Sequence, residues 1–512
     1  MSKGTLASAA ILAVAAIAAT AATAATKSPG RGLAAGARTA ALRFAPEQGG
    51  APQPSTTQMV LKRKAPVSSE VLKVKLPHPQ EADLPNGLHL MVLEDHRLPQ
   101  VTFQIIIPGA GGYFDPAGQV GLATYAASMM REGTTTRTSP QISETLETIA
   151  ASLNVNASLS GMSASMSGSA LTEDFDKLME LAGDVLLNPG FDAGEWDRFK
   201  ARTRAGLVQQ RANPGFLAAE TFNRVVFGAH PASRVAPTAA SLDAITQEGL
   251  AAFYRAHYVP DHAVAAFAGD ISLAGARKLI DARLAGWKKA GAAMPTVTDP
   301  PPIGVPKVSL VARPGSVQTT LYVGTQSMQR TDPDYAALSV VNRVLGGTMG
   351  RLFRHLREEK GYTYGIGSAF SATLYRGSWT SSTSVRTEVT EAALTDLLAE
   401  IAELRDTPVP DSELADAKRA IVGSFARDLE NPQQVLGYYL DNWTYGLPAD
   451  YWDTYPARVM AVTAEQAQAA ARKYWAPDRL QIVAVGDATK ITDTLKKQGE
   501  LDVFDADGKP LK

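Results

Sequence analysis

The chain has 512 residues, 45% of them hydrophobic, and a formal net charge of −1, so it is large enough to bury several hydrophobic cores. The balanced charge gives no electrostatic reason to expect nucleic acid or an acidic membrane surface as a partner. The sequence contains no cysteine, which excludes disulfide bonds and a lipidated N-terminal cysteine.

The first residues have the layout of a secretory signal peptide. Lys3 precedes an apolar run, and Ala22-Thr23-Ala24 suits a signal peptidase. We predict a signal peptide over residues 1–24, export to the periplasm or the medium, and no stable membrane span after cleavage. An uncleaved anchor is the alternative. Residues 25–72 are rich in Ala, Gly, Pro and Thr without periodicity and are predicted to be a disordered leader.

The next part of the chain alternates helical and strand patterns. The stretch "GLATYAASMMREGT", from Gly121 to Thr134, is an apolar helical run. The stretch "SLSGMSASMSGSAL" predicts a strand, and the residues after it, from Phe175 to Leu186, have the apolar spacing of a helix. Then "ITQEGLAAFYRAHYVPDHAVAAFAGD" predicts a capped helix, a break and a buried strand.

The second half repeats this succession. The stretch "GSWTSSTSV" precedes an amphipathic helix from Leu394 to Leu404, and "VTAEQAQAAARKYWAPDRLQIVAVGD" predicts a second capped helix, break and buried strand. Five residues recur with identical spacing, which indicates a duplication. They are Thr246, Pro260, Asp261, Gly269 and Asp270, which recur as Thr463, Pro477, Asp478, Gly486 and Asp487.

A proline cluster from Pro295 to Pro306 separates the copies and is typical of an interdomain linker. We predict an N-terminal domain over residues 73–289, a linker over 290–306, a C-terminal domain over 307–495 and a C-terminal tail over 496–512. The fold class is α+β, with two homologous domains that can enclose a chamber.

A helix-to-strand turn in the second half is the most distinctive motif. In "LGGTMGRLFRHLREEKGYTYGIGSAF", the residues Leu352 and Leu356 give an apolar helical face, Gly361 is placed to end the helix, and a strand follows through Tyr364 and Ile366. The glycines superficially suggest a phosphate loop, but the stretch lacks G-K-[ST], so a flexible turn is the better interpretation.

Together with "LPNGLHLMVLEDHRLPQVTFQIIIPGAGGYFDPAGQVGLATYAASMMREGT" and the proline linker, this motif resembles the pitrilysin/insulinase family of zinc peptidases. That family includes the mitochondrial processing peptidase and its bacterial two-subunit relatives. The resemblance covers residues 80 to 490. It implies two duplicated α/β-roll domains, of the LuxS/MPP-like metalloenzyme type, that form half of a clam-shell chamber.

Active members of the family have H-x-x-E-H on a helix of the first domain, where two histidines bind Zn²⁺ and the Glu acts as general base. When this chain is aligned with the pattern, Thr124, Ala127 and Ser128 occupy the positions of the first His, the Glu and the second His. A distal Glu ligand is also expected, but the window around Ala205 contains no carboxylate. The resemblance therefore implies a vacated zinc site, and we predict no metal and no catalytic residue in this chain.

Another catalytic site is hard to find in the sequence. None of the seven histidines forms an H-x-x-x-H pair, and His257 and His262 straddle Pro260, which breaks the helix that would align them. No G-x-S-x-G motif and no thiol are present. An independent hydrolase is therefore not expected.

The resemblance assigns a substrate-binding role to Arg357 and Tyr364. In the family, an Arg and a Tyr at this spacing hold the backbone and carboxylate of a peptide near the zinc of the opposite domain or subunit, and a guanidinium and a phenol suit such oxygens. The alternative is that Arg357 pairs with Glu358 on a surface helix while Tyr364 only packs.

Three functions follow from these observations. The first is the non-zinc, substrate-binding subunit of an exported metallopeptidase, whose H-x-x-E-H partner supplies the zinc in a heterodimer or larger assembly. The second is a non-proteolytic scaffold, since relatives without zinc ligands serve as core subunits of a respiratory complex. The third is a stand-alone peptide-binding protein. Retention of Arg357 and Tyr364 favours the first, because a scaffold has no evident need for them.

Overall fold

The computed structural model describes residues 75–511, which form one compact unit. The predicted signal peptide, residues 1–24, and the predicted leader, residues 25–72, lie outside the described residues. Between residues 75 and 511, no helix is both long enough and apolar enough to cross a membrane.

The first half of the described chain forms a six-stranded sheet. Its strands are β1 (Gln80–Asp83), β2 (His89–Glu94), β3 (Gln100–Pro108), β4 (Ser152–Ala157), β5 (Ser163–Leu171) and β6 (Val264–Gly269). Their order in the sheet is β1-β2-β6-β3-β5-β4, with β2 and β6 parallel and the other neighbours antiparallel. One edge of this sheet is therefore β4.

Eight α-helices accompany the first sheet within the described residues. They are α1 (Leu122–Met129), α2 (Ser139–Thr148), α3 (Phe175–Leu187), α4 (Ala193–Gln210), α5 (Pro214–Phe227), α6 (Ala239–Ala244), α7 (Gln247–His257) and α8 (Leu273–Arg283).

The second half repeats this sheet. Its strands are β7 (Lys307–Ala312), β8 (Gln318–Gln326), β9 (Thr363–Phe370), β10 (Ser378–Arg386), β11 (Gln481–Gly486) and β12 (Leu501–Phe504). The order is β12-β7-β11-β8-β10-β9, so β9 takes the edge position that β4 has in the first sheet. The predicted C-terminal tail supplies β12, which pairs parallel to β7.

Seven α-helices and one π-helix accompany the second sheet within the described residues. They are α9 (Tyr335–Gly346), the π-helix (Phe353–Glu359), α10 (Thr390–Asp406), α11 (Asp411–Asp428), α12 (Pro432–Tyr445), α13 (Tyr451–Ala461), α14 (Ala464–Tyr474) and α15 (Ala488–Lys496).

The sequence repeat corresponds to equivalent elements, as predicted. The hydroxyl of Thr246 accepts the Gly249 N–H at the start of α7, and Thr463 forms a capping box at the start of α14. The strands that follow, β6 and β11, are buried at every position. Because both of their faces are covered, they read as continuous apolar runs rather than alternating ones. The two-domain mixed α/β organisation is thus confirmed, and the roll description and the chamber remain predictions.

One helix of each half covers the sheet of the other half. Helix α5 packs Leu217, Phe222 and Val226 on the second sheet, against side chains that include Val483 and Val311. Helix α12 in turn packs on β2 and β6 of the first sheet. Each half therefore needs the other to bury one face of its sheet, so the two domains depend on each other structurally.

The predicted linker contains no helix or strand between α8 and β7, but it is not a free spacer. The Thr298 N–H donates to the Tyr113 hydroxyl at 3.0 Å, and His230 lies 2.9 Å from the Thr298 carbonyl. Arg376, in the β9–β10 hairpin, donates to the Pro300 carbonyl at 2.6 Å. The linker is thus bonded to both halves.

Candidate functional site

The helix predicted to hold the vacated zinc site is α1, and Asp115 fixes its start. The two carboxylate oxygens of Asp115 accept the Gly121 and Ala123 N–H groups at 2.7 and 2.8 Å. These are orphan donors of the first turn, so the carboxylate acts as the helix cap. Burial raises the pKa of Asp115 to about 6, although the backbone hydrogen bonds lower it.

The side chains at the three aligned motif positions, Thr124, Ala127 and Ser128, are not metal ligands of the kind that bind zinc. Thr124 and Ser128 lie half-buried one turn apart, and the Ser128 hydroxyl donates to the Thr124 carbonyl at 2.9 Å. The Thr124 hydroxyl is buried and has no hydrogen-bond partner among residues 75–511. Ala127, at the position of the general base, is 0% exposed.

The distal position, Ala205, is exposed on α4, a helix that buries only Trp196 fully. One turn earlier, the Arg202 guanidinium lies 3.2 Å from the Glu132 carboxylate, which follows α1. The same carboxylate accepts the Ser139 hydroxyl at 3.3 Å. An ion pair therefore connects the two segments that would supply the zinc ligands in an active relative.

These residues do not fit a zinc ion. Zinc in proteins is bound by imidazole, thiolate and carboxylate groups, and two hydroxyls and two methyl groups replace them here. Glu132, three residues after the end of α1, is paired with Arg202. In the part of the chain that the structure describes, no three His, Cys, Asp or Glu side chains are grouped so that they could hold a metal.

The second predicted site begins with an unusual helix. Residues Phe353–Glu359 form a π-helix, in which the Lys360 N–H donates to the His355 carbonyl five residues earlier at 3.0 Å. Gly361 follows with a φ of +60°, where a side chain would be strained, and β9 begins two residues later. The predicted helix, the glycine stop and the strand are confirmed. Single π-helical turns are frequent at functional sites.

Carboxylates of neighbouring helices hold this π-helix in place. The Arg351 guanidinium lies 2.9 Å from Glu413 on α11 and 3.1 Å from Glu403 on α10. His355 Nδ1 lies 2.9 Å from a Glu400 carboxylate oxygen, also on α10. The Arg351–Glu413 and His355–Glu400 pairs are mostly buried, whereas Glu403 is exposed, so the first two contribute most to holding the turn from which Arg357 projects.

Arg357 and Tyr364 lie together, one from the π-helix and one from β9. The Arg357 guanidinium carbon lies 5.3 Å from the centroid of the Tyr364 ring and 4.5 Å from that of Phe353. The Tyr364 side chain is 87% exposed, so it does not pack in a core. Among the described residues, no carboxylate lies within ion-pairing distance of the Arg357 guanidinium. The alternative in which Arg357 pairs with Glu358 and Tyr364 packs is therefore wrong.

The Arg202–Glu132 pair and the carboxylates around Arg351 are not predicted by the sequence. Both arise between segments that are distant in sequence, so no local pattern reports them. The cations of α4 at four alternating positions in "RFKARTR" are visible in the sequence, but they do not identify which carboxylate they pair with.

The structure defines a duplicated mixed α/β protein, and the helix predicted to hold the zinc site, α1, has no His, Cys, Asp or Glu side chain. Two models of one family match the chain. Residues 90–230 match the model described as insulinase (peptidase family M16), and residues 244–421 match the model described as the peptidase M16 inactive domain. Together they cover more than half of the chain, which therefore belongs to peptidase family M16.

Relatives of similar length support this membership. An uncharacterized zinc protease of Streptomyces coelicolor is 24% identical over 402 residues, which cover 76% of this chain and 85% of that protein. The non-peptidase homolog YmxG of Helicobacter pylori is 25% identical over 366 residues, which cover 70% of this chain and 83% of that protein.

Solved structures agree with the fold. A structure described as the peptidase M16 inactive domain from Pseudomonas fluorescens superposes with a TM-score of 0.73 at 28% identity, covering 80% of this chain and 98% of that one. A protease from Helicobacter pylori gives a TM-score of 0.74 at 16% identity, covering 80% and 100%. The inactive-domain and non-peptidase descriptions support a non-catalytic member of the family.

Proposed function

We propose that this chain is the substrate-binding, non-zinc subunit of a two-subunit M16 metallopeptidase. A partner with an intact H-x-x-E-H helix supplies the zinc and the general base, and this chain supplies Arg357 and Tyr364. The substrate is an unfolded peptide or a short extended protein segment.

The observation that supports this proposal most is the state of the Arg357–Tyr364 pair. Arg357 projects from an anchored π-helix, stacks on an exposed tyrosine ring and has no carboxylate partner in the described chain. An exposed tyrosine and an unpaired guanidinium do little for stability, because neither buries much apolar area nor completes an ion pair. They are suited to a ligand that supplies the missing oxygen acceptors.

The chemistry of the pair matches a peptide. The guanidinium fork can donate two parallel hydrogen bonds to a carboxylate or donate to successive backbone carbonyls, and the phenol can donate or accept one more. These groups bind and orient a peptide, and they contain no base or nucleophile that would cleave it. Proteolysis by the isolated chain is therefore not part of the proposal.

The proposal includes export and assembly. Lys3 and the apolar run after it favour a signal peptide, and an exported H-x-x-E-H homologue would then be the partner in the same compartment. Two half-chambers that share one substrate need a sizeable interface.

Mixing the purified chain with an H-x-x-E-H homologue from the same organism tests the proposal. Peptide cleavage by the mixture should far exceed the sum of the two separate activities, because the partner alone has catalytic groups without the substrate-holding pair. Size-exclusion chromatography should show a complex. A partner that is fully active alone and unaffected by this chain would contradict the proposal and leave the scaffold function.

A further inference from the structure

Helix α1 and the turn after it leave one row of side chains partly exposed. Between Gly121 and Arg131, every residue is buried except Thr124, Ser128 and Arg131. These three are spaced by four and then three positions, so they lie on one face of the helix. The helical path continues as far as Arg131, whose N–H donates to the Ser128 carbonyl at 3.2 Å. We call these three side chains the α1 row, and it consists of two hydroxyls and one guanidinium.

The guanidinium of the α1 row has no partner. The Nε of Arg131 is buried without a hydrogen bond among the described residues, and no carboxylate of that part of the chain lies within ion-pairing distance. Burial lowers the pKa of Arg131 below its ordinary value, and the charge of Glu132 opposes this effect. Other half-buried arginines of the first half differ, since Arg137, Arg211 and Arg283 each pair with a carboxylate at 2.6–2.7 Å. Arg131 is therefore a half-buried charge without a neutralising partner.

The neighbouring carboxylate, Glu132, is already engaged at both oxygens. Its Oε1 lies 3.2 Å from the Arg202 guanidinium, and its Oε2 accepts the Ser139 hydroxyl at 3.3 Å. These contacts hold Glu132 to α4 and to the start of α2. Two cations, Arg131 and Arg202, and one anion thus leave a net positive charge at this end of α1, which attracts an anion.

A second donor of the α1 row is also unsatisfied. The Thr124 hydroxyl is buried without a hydrogen bond to any described residue, whereas the Ser128 hydroxyl donates to the Thr124 carbonyl at 2.9 Å. Seven residues of helix separate Thr124 from Arg131, which is about 10 Å between their Cα atoms. Because helical side chains lean toward the N-terminus, the long Arg131 side chain leans back over Ser128 and shortens this distance. One group with two acceptor oxygens could then bind both donors.

We propose that the α1 row binds a carboxylate, which accepts hydrogen bonds from the Arg131 guanidinium and the Thr124 hydroxyl. A carboxylate has two acceptor oxygens and a single negative charge, which match one guanidinium, one hydroxyl and a net positive charge nearby. The helix that would hold a metal cation in an active relative thus holds an anion in this chain. The inference goes beyond the proposed function and does not rest on it, because it needs neither the partner nor the Arg357–Tyr364 pair.

Peptide binding to the full chain, without any partner, tests this inference. An Arg357→Ala background removes the competing guanidinium of the second half. The probes are three labelled pentapeptides, read by fluorescence anisotropy: terminally blocked Ala-Ala-Glu-Ala-Ala, its Gln counterpart, and Ala-Ala-Ala-Ala-Ala with a free C-terminal carboxylate. We expect at least one carboxylate peptide to bind about tenfold more tightly than the Gln peptide, because hydrogen bonds to a charged group are the stronger ones.

The two carboxylate peptides distinguish the source of the ligand. Tighter binding of the Glu peptide identifies an acidic side chain, and tighter binding of the third peptide identifies a chain terminus. If neither binds more tightly than the Gln peptide, or if none of the three binds, the inference is wrong.

The Arg131→Gln variant tests the position. It should abolish the preference for a carboxylate, and Arg131→Lys should keep part of it, since an ammonium lacks the planar fork. The matched control is Arg255→Gln, which removes the same charge from an exposed arginine of α7 that forms no ion pair with the described residues. This control should leave the preference unchanged. A preference that survives Arg131→Gln, or that Arg255→Gln removes equally, would overturn the inference.

Thermal stability separates a ligand site from a purely structural role. Arg131→Gln should not lower the melting temperature, because the charge that it removes is half-buried and unpaired. Thr124→Val removes an unsatisfied hydroxyl, so it should not lower the melting temperature either, but it should weaken binding of the carboxylate peptide about tenfold. A lower melting temperature of Arg131→Gln together with an unchanged peptide preference would assign Arg131 to the fold alone and contradict the inference.

Failure of this inference is distinguishable from failure of the proposed function. Activation of the partner, together with a carboxylate preference that does not depend on Arg131, would remove only the inference. A preference that depends on Arg131, in a chain that activates no partner, would remove only the proposed function.

Discussion

The exchange of α5 and α12 between the halves makes a strong prediction for Phe222. This side chain is 2% exposed and lies on α5, against the second sheet, with its ring centroid 6.1 Å from that of Tyr322. A Cβ built on Gly324 would lie 2.8 Å from the Phe222 ring, so the ring fills the space above a strand position that has no side chain. The Phe222→Ala substitution would leave a cavity that Gly324 cannot fill.

The expected cost is large. Burying a phenylalanine contributes about 1.5–3 kcal/mol through area alone, and a cavity that does not collapse raises the cost of Phe→Ala to about 3–5 kcal/mol. We expect the upper part of this range, because the backbone of β8 is held by strands on both sides. The Val208→Ala control, at a position that is 73% exposed on α4, should cost less than about 0.5 kcal/mol.

Urea unfolding followed by tryptophan fluorescence measures this cost. Trp196 and Trp287 lie in the first half, and Trp379 and Trp475 lie in the second, so the signal reports both. Because each half buries one face of the other's sheet, Phe222→Ala should lower the midpoint for both halves together. A cost below about 1 kcal/mol, or unfolding of the second half alone, would refute the coupling.

Three further predictions concern α1 and the residues that contact its two ends. Burial raises the pKa of Asp115 to about 6, so the folded state binds the Asp115 proton more tightly than the unfolded state does. The free energy of unfolding of the parent protein should therefore fall relative to that of Asp115→Asn as the pH rises. The expected change between about pH 4 and about pH 7 is about 2 kcal/mol. Urea unfolding at each pH measures the difference in the free energy of unfolding between the two proteins. A difference in favour of the parent that grows with pH would contradict this prediction. The isolated chain should contain no stoichiometric zinc by mass spectrometry, and Thr124→His combined with Ser128→His should not create a peptidase, because the general base and the distal ligand are still missing; chelator-sensitive cleavage by either form would refute this. A double-mutant cycle on Arg202 and Glu132 should give a coupling below about 1 kcal/mol because the pair is partly exposed, and a value above about 2 kcal/mol would argue that it replaces the zinc structurally.

Local signals predicted the repeated elements well. Thr246 and Thr463 both cap helices, the apolar runs before Gly269 and Gly486 are buried strands, and Gly361 ends the π-helix. These features depend on short-range physics: a hydroxyl accepts an orphan N–H, and a residue without Cβ adopts positive φ. Their spacing was therefore visible in the sequence without knowledge of the tertiary structure.

The exchanged helices were not predicted from the sequence, although a second repeat marks them. Asn213 and Asn431 each cap a helix that begins with proline, and Gly228 and Gly446 follow these two helices. This second repeat marks α5 and α12 as equivalent, but which sheet each helix covers depends on the packing of the whole chain. Amphipathic spacing identifies a face that must be buried and not the partner that buries it.

The π-helix could not be predicted for a different reason. Its sequence, "FRHLREE", has ordinary helix formers, and the widened turn is stabilised by contacts of Arg351 and His355 with carboxylates more than forty positions away. The sequence therefore predicts a role for Arg357 and Tyr364 but does not predict that their side chains stack.

Cleavage kinetics of Arg357 and Tyr364 variants, assembled with the zinc-bearing partner, test the central claim most directly. The claim predicts that Arg357→Ala and Tyr364→Phe fold and assemble normally but lower kcat/KM roughly ten- to a hundredfold, because a charge-assisted hydrogen bond to substrate contributes about 1.5–3 kcal/mol. Arg357→Lys should recover only part of the loss, since an ammonium lacks the planar fork. Lys360→Ala, an exposed cation just after the π-helix, is the matched control and should cleave at the parental rate. Parental rates for both Arg357→Ala and Tyr364→Phe in a normal complex would contradict the claim.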